Sequence, residues 1–260
     1  MPSRAHASAK GVVLCGGKGA RLRPLTFYFQ KTILPVGSSQ RPVLEFVLRL
    51  LRHHGIREVV LLVGYKHEQI VNYFGHGERL GVRLTYVVDD PALRGTGGSL
   101  LNAYRQGALS EEDRLLVYYA DILSDIDLSE MLAYHKRTGA VATLAVSRGY
   151  RVPVGVARVD GEGRLLDLQE KPILDLLVSM GILALEGEAL PELEKLAKSG
   201  RRSIDIMGDL LTHLIRAGRP VRAYVTSAFW YDMGSTEAYE KLRPEVVDEI
   251  LGFLLEDGEG

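Results

Sequence analysis

The stretch Gly11-Val12-Val13-Leu14-Cys15-Gly16-Gly17-Lys18-Gly19-Ala20-Arg21-Leu22-Arg23-Pro24-Leu25-Thr26 sets an apolar run directly against a glycine-rich, basic loop. The run from Gly11 to Cys15 carries no charge and reads as a buried strand. Glycines at its end let the backbone approach a ligand, and successive N–H groups can cradle phosphate oxygens. Lys18 and Arg21 add positive charge to the same loop. Two commoner glycine motifs do not fit. A Walker A loop needs Ser or Thr after its Gly-Lys pair, where Gly19 stands here. A Rossmann fingerprint needs G-x-G-x-x-G and an acidic residue closing the second strand, which instead runs Val63-Gly64-Tyr65-Lys66. Taken alone, the glycines are equally consistent with a tight turn bearing solvated basic residues.

Outward from that loop, short apolar runs alternate with amphipathic stretches. Residues 58–63, 84–88, 115–119 and 141–146 read as further buried strands, and 43–54, 67–74, 99–107 and 128–138 as helices. Gly55, Gly139, Gly200 and Gly218 stand where helices should stop. Alternation of this kind predicts an α/β fold, a Rossmann-like, mostly parallel sheet with flanking helices. After residue 140 the pattern changes. Residues 154–159 and 164–168 flank Asp160-Gly161-Glu162-Gly163, a hairpin signature, and an apolar run follows at 177–185. Helices are expected near 188–198 and 205–217, a strand near 221–225, and a final helix with Val247, Ile250, Leu251 and Leu254 on one, core-facing side. The reading is a single domain over 1–260: a first half at about 11–140, a second half at about 141–235, and a C-terminal helix in 236–260.

The 260 residues include 32 basic and 33 acidic side chains, for a net charge of -1. A broad nucleic-acid footprint needs a basic surplus, so none is expected. Cys15 is the only cysteine, which excludes an internal disulfide and suits a cytoplasmic protein. The histidines show no zinc-ligand spacing; His67-Glu68 opens like a zincin motif but Val71 replaces the second histidine. The first ten residues lack the apolar core of a signal peptide, and no apolar run is long enough to span a bilayer.

Asp121 is the first charged group past the strand at 115–119, where ligands of an open parallel sheet sit. A carboxylate facing a phosphate loop needs a cation between them, usually Mg²⁺. Asp127 with Glu130 fits a helix capping box, and Asp125 reads as solvated. Asp232, in Phe229-Trp230-Tyr231-Asp232-Met233-Gly234-Ser235, is by itself equally an N-cap or a surface acid.

Gly16 to Thr26, followed by Gln30-Lys31-Thr32-Ile33-Leu34-Pro35-Val36-Gly37 and Arg41-Pro42-Val43-Leu44-Glu45, resembles the sugar-1-phosphate nucleotidylyltransferase family. Members usually read GGxGTRLRPLT and then PKPxLPV, so Ala20, Gln30 and Thr32 depart from the pattern while Arg21 and Lys31 keep its charges. The resemblance implies a nucleotide-diphospho-sugar transferase fold with a small sugar-binding lobe, about 11–140 being the nucleotide-binding half and about 141–235 the sugar-phosphate-binding half. It implies that Cys15, Gly16, Gly17, Gly19 and Arg21 hold the nucleotide, and that Arg21, Lys31 and Asp121 are catalytic. Gly95-Thr96-Gly97-Gly98 lies against the nucleotide in the family, and its place before a helix offers a second set of N–H groups. Asp121 and Asp232 are implied as Mg²⁺ ligands. Gly155, Glu170, Lys171, Ser179 and Met180 fall at the family's sugar-phosphate positions, with Ser179 where asparagine is common.

The implied reaction joins an NTP to a sugar 1-phosphate, giving NDP-sugar and pyrophosphate. The GTGG segment resembles guanylyl- and cytidylyl-transferring branches, so GTP with mannose 1-phosphate is the expected pair. A non-catalytic regulatory relative and a cytidylyltransferase acting on an alcohol phosphate are the alternatives. No nucleic-acid or membrane partner is expected, and a homo-oligomer would be unsurprising in this family.

Overall fold

Uncharged, branched runs build the centre of the molecule, whose computed structural model describes residues 9–152 and 154–256. In chain order the strands are β1 (Lys10–Cys15), β2 (Pro35–Val36), β3 (Arg41–Pro42), β4 (Glu58–Val63), β5 (Arg83–Val88), β6 (Arg114–Tyr119) and β7 (Ile122–Ser124). They continue with β8 (Ala142–Arg151), β9 (Val156–Val159), β10 (Leu165–Gln169), β11 (Ile173–Glu186), β12 (Val221–Thr226) and β13 (Trp230–Asp232). Seven of them form one sheet in the order β12-β8-β11-β6-β1-β4-β5. Its pairs are parallel except where β11 runs against β6 and β8. The expected mostly parallel α/β sheet is therefore present, with one reversed strand joining its halves.

The helices are α1 (Val43–His53), α2 (His67–Phe74), α3 (Thr96–Arg105), α4 (Leu128–Thr138), α5 (Leu190–Lys198), α6 (Thr212–Arg216), α7 (Thr236–Lys241), α8 (Pro244–Leu251) and α9 (Phe253–Glu256). They cover both faces. One core packs α1, α2, α4 and the α8–α9 pair against the sheet; the other packs α3, α5 and α6. Two expectations need correction. The C-terminal segment is three short helices, because Leu242 and Gly252 interrupt it, although Val247, Leu251 and Leu254 are buried as anticipated. The helix expected over 205–217 is a π-helical turn, Ile206–Leu211, capped by Asp205 and followed by α6. Among the described residues no helix is long and apolar enough to cross a membrane.

The chain runs outward from β1 to β4 and β5, then returns to place β6 on the other side of β1. A crevice opens at such a reversal, beyond the carboxyl ends of the strands. The glycine loop leaves β1 there and Asp121 leaves β6 there.

Candidate active site

Gly19, at φ 59°, turns the loop after β1 back on itself; a Cβ there would lie 2.8 Å from Thr26 Cγ2 and 3.1 Å from Lys31 Cβ. Thr26 Oγ1 closes the turn by donating to the Gly19 carbonyl at 2.8 Å. This brings the backbone beside Lys31, whose Nζ stands 3.6 Å from where a Cβ on Gly17 would be. Lys31 opens a short 3-10 turn held by the wholly buried Gln30. Gln30 Nε2 donates to the Cys15 carbonyl at 2.6 Å, and its Oε1 accepts from Thr32 N at 2.5 Å and Thr32 Oγ1 at 2.6 Å. Cys15 thus differs from its expected role: its side chain is wholly buried and its carbonyl is taken by Gln30. Burial pushes the Cys15 thiol far up, so it carries no thiolate chemistry.

Lys31 Nζ meets Asp121 Oδ2 at 2.5 Å, with both side chains about five-sixths buried. Asp232 is 111 positions away, and the antiparallel pairing of β7 with β13 delivers it. Asp232 lies opposite Ile122, and Met233 N donates to the Asp121 carbonyl at 2.9 Å. Arg21 reaches the same place: a Cβ on Gly234 would sit 2.7 Å from both Arg21 Nη2 and Asp232 Oδ1. Thr236 Oγ1 fastens this corner by donating to the Arg21 carbonyl at 3.1 Å. Arg21, Lys31, Asp121 and Asp232 are thereby gathered at the mouth of the crevice. Asp125 is exposed, as expected, and its Oδ1 also accepts from Phe229 N at 2.8 Å, which anchors the approach to β13. Asp127 caps α4 through Glu130 N at 2.8 Å.

Two carboxylates on adjoining backbone, facing a glycine-rich basic loop, suit a hard cation that takes its other ligands from ligand oxygens and water. Among the described residues no cluster of three or more His, Cys, Asp or Glu could hold a metal on protein ligands alone. The two carboxylates fit Mg²⁺ in their chemistry, hard oxygen donors for a hard cation.

Between β1, β4 and the start of α3 lies an open cleft of about 600 Å³, lined by Gly16, Lys18, Tyr65, Asp89, Gly95 and Ser99 among others. Gly95-Thr96-Gly97-Gly98 borders it, but two of its amides are already taken. Gly97 N and Gly98 N both donate to the Ile204 carbonyl, at 2.9 and 3.3 Å. Thr96 Oγ1 donates to Asp205 Oδ2 at 2.8 Å and accepts from Ile206 N at 2.9 Å. The expected second set of N–H donors is corrected accordingly: this segment docks onto residues 204–206, and Gly95 alone of the four faces the cleft.

The small lobe carries the remaining residues. Glu170 Oε2 lies 3.1 Å from where a Cβ on Gly155 would be, so the two meet across the hairpin. Lys171 is exposed with φ 47°, and Ser179 is exposed beside the Ser179–Leu183 irregularity of β11. Gly181, at φ 73°, packs on Tyr119 and Ile122, which sets this part of β11 next to Asp121. Met180 departs from expectation: its side chain is wholly buried in the core.

The sequence model of the family described as Nucleotidyl transferase matches residues 10–249. The chain belongs to this family. A UTP–glucose-1-phosphate uridylyltransferase of Synechocystis sp. is 32% identical over 244 residues, covering 88% of this chain and 61% of that protein. A mannose-1-phosphate guanylyltransferase of Mycobacterium tuberculosis is 31% identical over 244 residues, covering 92% and 65%. The chain thus spans somewhat under two thirds of these curated relatives. Among solved structures, a Bacillus anthracis protein assigned as a glucose-1-phosphate thymidylyltransferase and solved with sucrose has a TM-score of 0.73 at 22% identity. The match covers 93% of this chain and 96% of that one.

In this nucleotidyl transferase chain, the sequence reading passed over Asp89. It follows β5 as Asp121 follows β6, and that position was the available signal. Its Oδ2 is pressed against the backbone of Gly16 and Gly64, where added Cβ atoms would lie 2.0 and 2.6 Å away. Its Oδ1 is buried with no hydrogen-bond partner among the described residues. Burial raises its carboxyl above the usual range, opposed by the Ser99 hydroxyl.

Proposed function

We propose that the chain transfers a nucleotidyl group from an NTP to a sugar 1-phosphate, releasing pyrophosphate, with GTP and mannose 1-phosphate as the preferred pair. The convergence of Arg21, Lys31, Asp121 and Asp232 at the reversal of the sheet carries this reading. A sugar phosphate already bears its nucleophilic charge at neutral pH, so neither a protein nucleophile nor a general base is required. The obstacle is repulsion between two polyanions meeting in line, and fixed charges in a shielded site answer it. Arg21 and the loop amides hold the triphosphate. Lys31, held by Gln30 from behind, neutralises charge at the α-phosphate and the departing pyrophosphate. A magnesium ion on Asp121 and Asp232, when bound, supplies the neutralisation that lets the attacking phosphate approach. Glu170 and Lys171 face the sugar phosphate from the other side.

The choice of base rests on the Gly95-Thr96-Gly97-Gly98 segment, which resembles that of the guanylyl- and cytidylyl-transferring branches. The two relatives above are named for different bases, so the grid of NTPs decides between them.

Pyrophosphate release across a grid of NTPs and sugar 1-phosphates, with choline phosphate included, tests the reading. A strong response for GTP with a hexose 1-phosphate is expected, and its loss by more than about 100-fold in Asp121→Ala or Asp232→Ala variants that remain folded. A silent grid from folded protein that still binds nucleotide would sink the catalytic reading, and activity with choline phosphate alone would sink the sugar reading.

A further inference from the structure

We propose that Arg94 is the residue that reads the base: its guanidinium donates to the adjacent O6 and N7 acceptors of a guanine bound in the cleft between β1, β4 and α3. The proposal rests on the reading above that this cleft takes a nucleotide whose triphosphate lies on the glycine loop.

Arg94 lines the cleft on the wall built by the segment from β5 to α3, whereas Gly16 and Lys18 belong to the loop after β1. Its side chain is exposed and has no hydrogen-bond, ion-pair or ring partner among the described residues. The backbone beneath it, in contrast, is fixed. The Arg94 carbonyl accepts from Ile204 N at 2.9 Å, Leu93 N donates to the Asp90 carbonyl at 2.9 Å, and Ala92 N donates to Asp90 Oδ1 at 2.8 Å. The acids of the cleft leave the guanidinium alone, since Asp90 holds this turn and Asp89 is packed against Gly16 and Gly64. A partner-free cation on a rigid turn is a group held ready for a ligand.

Two features favour a base over a phosphate as that ligand. Tyr65, Pro91 and Leu93 give the cleft apolar surface of the kind against which a flat ring binds. Arg21, Lys31 and the loop amides, with which the triphosphate is already provided, all follow β1. A guanidinium only donates, and it does so in a planar fork that suits two acceptors side by side. Guanine has such a pair in O6 and N7, whereas adenine sets an amino donor beside its N7. Uracil separates its two carbonyl oxygens with an N–H. Cytosine also carries an adjacent pair, N3 and O2, so the decisive probe is 7-deaza-GTP, which differs from GTP in lacking the N7 acceptor.

The test is equilibrium binding of GTP, 7-deaza-GTP, ATP, CTP and UTP, by calorimetry and without sugar 1-phosphate, to the wild type, Arg94→Met and Arg94→Lys. The wild type is expected to bind GTP about tenfold or more tighter than 7-deaza-GTP and ATP, on the scale of one bidentate base contact. Arg94→Met should lose that factor for GTP, hold ATP and UTP within twofold, and no longer distinguish GTP from 7-deaza-GTP, at an unchanged melting temperature. Arg94→Lys, a point charge without the fork, should fall between them. An equal loss for every NTP in Arg94→Met would place the guanidinium on the phosphates and overturn the assignment. So would unchanged GTP affinity in that variant, a wild type that binds 7-deaza-GTP as well as GTP, or one that prefers CTP. A folded wild type that binds no NTP overturns the reading beneath the proposal; base-blind binding overturns the role of Arg94 alone.

Discussion

Lys31 needs a rigid mount, and in this chain a side-chain amide supplies what proline rings supply in the family pattern. Gln30 is wholly buried, and its amide is shared between Cys15 and Thr32. Replacing it by alanine leaves the Cys15 carbonyl and the Thr32 amide without their partner, at a cost of about 1–3 kcal/mol. Gln30→Ala should therefore melt lower and turn over more slowly, with Lys31 itself intact; unchanged turnover in a less stable protein would limit Gln30 to the fold. Asp89 offers a cleaner separation. In Asp89→Asn the shape of the side chain is kept while the charge packed against Gly16 and Gly64 is removed. We expect kcat/KM to fall by a similar factor for every NTP, because Oδ1 is buried and Oδ2 lies against backbone, leaving no carboxylate edge open to the base. A fall confined to GTP would show instead that Asp89 reads the base. Neither role was legible in sequence, since a lone Gln or Asp acquires meaning only from the partner the fold brings to it.

At the scale of elements, the start of α3 is a glycine-rich segment whose Gly97 and Gly98 amides are taken up in packing against Ile204. Gly98 is helical, and alanine there would ordinarily add about 0.5–1 kcal/mol of stability. Its Cβ would lie 2.4 Å from the Leu93 carbonyl oxygen and 2.5 Å from the carbon, both backbone. Overpacking against atoms that cannot rotate away costs about 1–3 kcal/mol, so the clash outweighs the propensity. Gly98→Ala should lower the urea midpoint; a raised midpoint would show that the 91–95 loop yields freely. Other elements were legible in proportion to how local their cause is. Residues 58–63, 67–74 and 128–138 form the expected strand and helices at the expected bounds, because their apolar patterns are local and the helices stop at flanking glycines, Gly75 and Gly139. β8 and β11 run well beyond the apolar stretches that announced them, into exposed residues whose pairing is set across the sheet. The β7–β13 pair, only three residues to a side, left no periodic signal, and so the meeting of Asp121 with Asp232 came from family resemblance alone.

For the molecule as a whole, β11 is the seam of the main sheet: it alone there runs antiparallel to both neighbours and joins the first half at β6 to the second half at β8. Glu186 fastens its end. Its Oε1 accepts from Arg114 Nε at 2.7 Å and meets His135 Nε2 at 3.1 Å, while His135 Nδ1 contacts Thr143 Oγ1 at 2.7 Å. Burial alone would push the Glu186 carboxyl up, but the hydrogen bonds from His135 and Arg114 outweigh it and hold it below its ordinary value of 4.5. The unfolded chain therefore takes up this proton at a higher pH than the folded one. The stabilisation is fully present above the unfolded value and drains away as pH falls through the folded value. Denaturant midpoints should accordingly be flat for this group at neutral pH and drop below about pH 4.5 as it protonates. Glu186→Gln should be less stable than the wild type at pH 7, and the gap should narrow on acidification. A gap that keeps its size from pH 7 to pH 4 would mean that shape and packing, and not the charge on Glu186, close the seam.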